Sequence, residues 1–198
     1  MVKMPKIFLK YKEEARKVII DAATAVAIRD GYQAMTIDDV AKEVGVTKGA
    51  LYGYFQNKEE LMSEVLIEIS KKLEETLDFS DMEENLDSHL DQLSDRILND
   101  PNIPLISELI AISGRDPAIH QMVSNMMDRT IQIIQNDLQN LQEQKCIPGT
   151  LDLHAAAIEI EALSRGMATK FHITQNPEEI RILWGSGIKN LMGVPVKH

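Results

Sequence analysis

Apolar side chains recur along this chain at every third or fourth position, and alternating β-branched stretches are almost absent. That period predicts helices and argues against a sheet. From about Lys12 to Asp30, the residues Ile19, Ala23, Val26 and Ala27 form one stripe, and Gly31 follows as a helix-ending glycine. A short helix over Ile37–Val44 is predicted next, with Thr36 as its N-cap, Asp39 three residues on, and Gly45 breaking it. Thr47 caps another short helix that ends near Tyr54-Phe55. Asn57, with Glu60 in the capping-box position, opens a long helix reaching about Leu77 through Leu61, Val65, Ile69 and Leu73, the expected connector between two regions. Behind it come Asp81–Leu98, Pro101–Ile112 stopped by Gly114, and Pro117–Gln144 ended by Pro148-Gly149. A final pair, Leu153–Phe171 and Pro177–Met192, is separated by the Thr174–Asn176 turn. The expectation is an all-α chain of about nine helices with no internal repeat.

Composition narrows the class. At 198 residues, 44% hydrophobic and 26% charged, the chain can bury a proper core, which excludes a disordered protein. No run approaches the roughly 20 apolar residues that span a bilayer, and Met1–Lys10 lacks the apolar stretch of a signal peptide. A cytoplasmic protein with no membrane partner is expected. The single Cys146 allows no internal disulfide and no cysteine-based zinc site. The histidines His89, His120, His154, His172 and His198 show no ligand spacing, so neither a metal nor a cofactor is expected. No GxSxG elbow, glycine-rich phosphate loop or Cys/His nucleophile pair is present, and the acidic pairs Glu74-Glu75 and Glu83-Glu84 read as solvated faces. An enzyme is therefore not expected.

The net charge of −10 by itself argues against a nucleic-acid binder, but it is unevenly distributed. Residues 1–58 carry 10 Lys+Arg against 7 Asp+Glu, while residues 59–198 carry 11 against 24. The basic end holds the informative segment, IDDVAKEVGVTKGALYGYF over Ile37–Phe55. A helix-turn-helix needs a small residue where its helices cross, a glycine in the turn, and apolar residues that pin the helices together. Ala41 and Gly45 meet the first two needs, and Val40, Val44, Val46 and Leu51 occupy the apolar positions. The rest of the second helix is Thr47, Lys48, Gly49, Ala50, Tyr52 and Gly53: hydroxyls, one cation, and small residues that allow close approach to a groove. The competing explanations are a plain helical hairpin and a helical protein-interaction module that has lost DNA binding.

The run Thr36 to Leu61, TIDDVAKEVGVTKGALYGYFQNKEEL, closely resembles the DNA-binding signature of TetR-type transcriptional regulators, within a similarity spanning about residues 12–62. The resemblance implies a DNA-binding domain over residues 1–60 and a helical effector-binding and dimerisation domain over 61–198. It also implies a homodimer, usually a repressor, that binds a palindromic double-stranded DNA operator and is released by a small-molecule effector. On that basis Thr47 and Tyr52 hold phosphates, and Lys48 reaches a phosphate or a base edge. Gly49 and Ala50 allow close approach, with Ala50 near a thymine methyl. Tyr54 and Lys58 contact phosphate, Thr36 caps its helix facing the backbone, and Lys10, Lys12 and Arg16 add sequence-independent attraction. With Lys48 as the only long polar donor, specificity is expected to lean on DNA shape or backbone groups.

An effector pocket between the middle helices is implied by the same resemblance, and the flexible side chains Met122, Met126, Met127 and Met167 suit an adaptable apolar lining. Glu161 and Arg165, four apart, offer either a surface ion pair or polar contacts in that pocket. Small residues, Ala155-Ala156-Ala157, Gly166, Gly185, Ser186 and Gly187, together with Ile158, Leu163, Ile182 and Leu183, mark the last two helices as the expected four-helix dimer interface. Trp184 fits either that layout or ordinary core.

Overall fold

The structure, a computed structural model, describes residues 6–76 and 82–194, and of these the side chains of all but 6–10, 73–76, 82–85 and 89. Among these residues lie nine helices and no strand: α1 (Lys6–Asp30), α2 (Ile37–Val44), α3 (Lys48–Leu51), α4 (Lys58–Thr76), α5 (Met82–Leu98), α6 (Ile103–Ser113), α7 (Pro117–Glu143), α8 (Leu153–Thr174) and α9 (Pro177–Leu191). The expected helices are all present, with α1 starting earlier than Lys12 and α8 running beyond Phe171. The expected boundary positions Leu77 and Asp81 lie outside the described residues.

The described residues form two compact units, one within 1–69 and 104–123, the other within 70–103 and 124–198. This division differs from a single cut after residue 60, because α6 belongs with the first unit. In that unit the stripe of Ile19, Ala23, Val26 and Ala27 is buried, as are Val40, Ala41, Leu51, Phe55, Leu61 and Val65. Helix α1 packs on α2, and α2 on α3. Arg16 holds the α3–α4 connection. Its guanidinium donates to the Tyr54 carbonyl at 2.8 Å, lies 4.4 Å from the Phe55 ring centroid, and pairs with Glu64 at 3.2 Å. Arg16 is thus a packing residue of the unit. Lys12 is exposed, and the side chain of Lys10 is outside the description.

The second unit centres on Leu90, Leu93, Leu138, Leu141, Ala156, Ala157, Ile160, Trp184 and Ile188. Trp184 is core, its indole N–H donating to the Ser164 hydroxyl at 2.9 Å. Helix α9 packs on both α8 and α5. The small residues divide in role. A Cβ on Gly187 would meet Leu163 Cδ2 at 2.7 Å, whereas Gly166 and Gly185 face open space. Leu163, half-buried, packs against this unit's own core.

The turn after α2 carries the sharpest local demand. Gly45 sits at φ 81°, and a left-handed residue with a Cβ costs about 1–2 kcal/mol. Gly45→Ala is expected to destabilise the protein by about that amount in denaturant unfolding. No steric term adds to it, since nothing lies within 4 Å of the added carbon.

Candidate nucleic-acid interface

The helix-turn-helix is set by its caps. The Thr36 hydroxyl accepts from the Asp39 N–H while the Asp39 carboxylate accepts from the Thr36 N–H, so two otherwise orphaned donors are satisfied at the start of α2. At its end, the Gly45 N–H donates to the carbonyls of Ala41 (2.9 Å) and Lys42 (3.1 Å), and the Val46 N–H donates to Ala41 at 2.9 Å. This is the Schellman arrangement, which reverses the chain within three residues. Thr47 then opens α3 in extended geometry, its hydroxyl accepting from the Ala50 N–H.

Helix α3 is shorter than expected. Regular helix ends at Leu51, because the bonds from Gly53 to Ala50 (3.2 Å) and from Tyr54 to Leu51 (2.8 Å) tighten to a three-residue span. A second difference lies in the turn: Val46, expected to pin the helices, is 43% exposed, and Val44 is only half-buried. Val40, Ala41 and Leu51 carry that packing.

The structure brings Thr47, Lys48, Gly49, Ala50 and Tyr52 together as exposed residues in and around α3, with Tyr52 50% exposed. Gly49 has open space where a side chain would stand. Thr36 is exposed and Tyr54 half-buried. The Lys48 ammonium is 3.9 Å from Asp38 on α2, with both side chains about half exposed. The other described cations of this surface also have partners: Lys42 pairs with Asp39 at 3.4 Å, and Arg29 with Asp30 and Glu43 at 2.9 and 3.0 Å. Asp30 and Glu43 hold the Arg29 guanidinium firmly in its charged form.

Lys58 departs from its expected role. Its ammonium donates to the Gln33 carbonyl at 3.2 Å and sits 4.3 Å from the Tyr32 ring centroid. Burial lowers its pKa. The Tyr32 hydroxyl is pushed up to about 12, chiefly by burial and then by Glu59, Asp116 and Glu108. Lys58 braces the turn between α1 and α2 in the free chain. Sequence spacing cannot show this, since its partner is 25 residues away.

The residues proposed for an effector site separate. Met122 is buried in the first unit, while Met126 (buried) and Met127 (half-buried) belong to the second. Glu161 and Arg165 form an ion pair with each other, and Arg165 Nε is buried without a hydrogen-bond partner. Met167 lines a shallow apolar depression with Ser94, Ile97, Leu98, Ile180 and Trp184. The expected dimer residues include three exposed large apolar side chains, Ile158 (42%), Ile182 (62%) and Leu183 (41%). Ala155 and Gly166 are exposed as well, and Ser186 is half-buried.

Comparison with known proteins agrees with this geometry. Residues 19–65 match the family model described as bacterial regulatory proteins, tetR family. The chain is 31% identical over 160 residues to the HTH-type transcriptional regulator SrpR of Pseudomonas putida, covering 78% of this chain and 74% of that protein. Its fold matches a TetR-family regulator structure from Rhodococcus sp. with a TM-score of 0.79 at 20% identity, over 91% of this chain and 99% of that one. A second such structure, from Mesorhizobium loti, matches with a TM-score of 0.75 at 21% identity, over 92% and 96% of the two chains.

The capping box yields a pH-dependent test. The Thr36 hydroxyl is the largest of the influences that hold the Asp39 carboxyl below the ordinary carboxylate value. A carboxyl with a depressed pKa contributes stability above the carboxylate range and loses it as pH falls through the folded-state pKa. Thr36→Ala is expected to cost about 1 kcal/mol at pH 7. It should also raise the Asp39 pKa in an NMR titration and narrow the stability gap to wild type in acid. An unmoved Asp39 titration would remove the hydroxyl as the cause.

Proposed function

The chain belongs to the tetR family of bacterial regulatory proteins, DNA-binding transcriptional regulators, and from that premise we propose that it is a homodimeric repressor released from a palindromic operator by a small-molecule effector. The observation that carries this proposal is the α3 surface, where Thr47, Lys48, Gly49, Ala50 and Tyr52 are exposed together. Thr47 and Tyr52 hold phosphates through their hydroxyls, and Lys48 leaves Asp38 for a phosphate or a base edge. Gly49 and Ala50 admit the groove wall, Ala50 against a thymine methyl. Thr36 faces the backbone while capping α2, and Tyr54 adds a phosphate contact. Lys58 is left out of this set because its ammonium already serves the α1–α2 turn.

The exposed Ile158, Ile182 and Leu183, beside Ala155 and Gly166, support a two-fold interface built from α8 and α9. The dimer sets the separation of two reading heads, which must enter successive major grooves on one side of the duplex. An effector that prefers another helix arrangement draws the population toward mismatched heads and frees the DNA. Met126, Met127 and the buried, unbonded Arg165 Nε support a mixed apolar and polar effector site in the second unit.

Selection of duplexes from a random-sequence library by the full chain is expected to enrich an inverted repeat, and no enrichment at low salt would overturn DNA recognition. On the enriched duplex, Lys48→Ala should lose about 1–3 kcal/mol and reduce the salt slope by about one. Tyr52→Phe should lose about 1 kcal/mol with the hydroxyl. Gly49→Ala should keep or raise stability while weakening binding, since its added carbon meets only open space in the free protein. Unchanged affinity in all three variants would place the groove-facing surface elsewhere. The assembly is tested separately: Ile182→Asp with Ile158→Asp should give a helical monomer in sedimentation, and an intact dimer would exclude this face.

A further inference from the structure

Helix α6, with the sequence IPLISELIAIS, carries one charged residue, Glu108. Both of its carboxylate oxygens are committed to backbone in the connection between α1 and α2. The Tyr32 N–H donates to Oε2 at 2.8 Å and the Gln33 N–H to Oε1 at 3.0 Å. The connection is shaped to receive it. Gly31 is left-handed at φ 81°, and a Cβ there would lie 3.0 Å from Glu108 Oε2, so a glycine both makes the bend and leaves room for the carboxylate. Successive N–H groups after a left-handed residue form a concave anion seat, and here a side chain of the same chain fills it. From the other side, Lys58 donates to the Gln33 carbonyl at 3.2 Å and lies on the Tyr32 ring. One residue of this six-residue connection thus has its N–H held by α6 and its carbonyl held by α4. The Met35 N–H returns to the Gly31 carbonyl at 3.1 Å, and Thr36, the cap of α2, follows directly.

We propose that Glu108 is a positioning residue for DNA binding: its carboxylate fixes the α1–α2 connection and thereby the direction in which α2 and α3 are presented. The inference rests on the DNA-binding function proposed above and adds a residue outside the helix-turn-helix to it. Two charge-assisted bonds from backbone donors are stronger than neutral ones and specify orientation as well as distance. Removing the carboxylate leaves two donors without partners on the segment that leads into the reading helices. The residues around Glu108, 104–123, are joined at both ends to chain of the second unit. The side chain that holds the reading helices in place is therefore carried by a segment outside the sequence of the head itself.

The test uses the full chain, the duplex enriched by wild-type protein, and a scrambled duplex of equal length. Glu108→Ala should bind the enriched duplex at least tenfold more weakly, with affinity for the scrambled duplex at low salt unchanged within twofold. Glu108→Gln, which keeps one carbonyl oxygen for one of the two N–H groups, should fall between. Hydrogen exchange at the Tyr32 and Gln33 amides should accelerate in Glu108→Ala while the amides of α8 and α9 exchange as in wild type. Wild-type affinity of Glu108→Ala for the enriched duplex would overturn the proposal. So would a parallel loss on both duplexes together with lowered helical content, which marks a general folding role. If Glu108→Ala does not fold, Glu108→Gln decides, and its binding the enriched duplex as tightly as wild type overturns the proposal. A wild-type protein that enriches no duplex overturns the DNA-binding function, and this inference falls with it.

Discussion

A helix of four residues cannot sustain itself, because nucleation fixes several residues for the first hydrogen bond and α3 adds few bonds after it. Its existence depends on the reversal at Gly45. There the left-handed backbone lets the Gly45 and Val46 N–H groups close on Ala41 and Lys42, and the chain re-enters helical geometry at Thr47 with a side-chain cap already in place. Leu51 then buries fully and Phe55 nearly so, which ties the far end of the segment to the core of the first unit. The surface of α3 is consequently free of any packing duty. Its exposed residues are hydroxyls, one ammonium, and glycine or alanine because the stabilising work is done at its two ends.

The electrostatics follow a similar division. Three cations near the reading surface face carboxylates of their own unit: Lys48 with Asp38, Lys42 with Asp39, Arg29 with Asp30 and Glu43. Exposed pairs of this kind contribute about 0–1 kcal/mol, so exchanging a carboxylate for a phosphate has little cost. The same pairs lower the pull of the head on arbitrary DNA. Combined with 24 acidic against 11 basic residues beyond position 58, they restrain indiscriminate attachment to phosphate.

Much of the architecture was legible in the sequence because local rules govern it. The period of the apolar residues gave all nine helices, and Thr36, Gly45, Thr47 and Asn57 marked ends by chemistry confined to four or five residues. What escaped was decided by long-range contacts. The packing duties of Arg16 and Lys58 depend on partners, Tyr54 and Gln33, that lie 38 and 25 residues away. Nothing local marks Glu108, whose partners lie 75 and 76 residues away. The end of α3 escaped for a different reason. A sequence of helix-compatible residues does not reveal that its last bonds shorten to a three-residue span.

The proposed dimer follows from the poverty of the single head as much as from the apolar face. One long polar donor, Lys48, and a few hydroxyls give one head little discrimination, since phosphate contacts position and base contacts specify. Joining two heads makes the second encounter intramolecular, and weak individual contacts then multiply into a usable affinity only when the spacing of the duplex fits. A weak head is therefore a condition for release: a shift in the separation of two strong heads would leave each one bound. Helix α9 shows how one element serves both needs. Trp184, buried and bonded to Ser164, anchors it to the second unit, while Ile182 and Leu183, two and one residues earlier, are exposed. In the proposed dimer the same helix fixes the interior of one subunit and sets the distance to the next, and that distance governs whether the DNA stays bound.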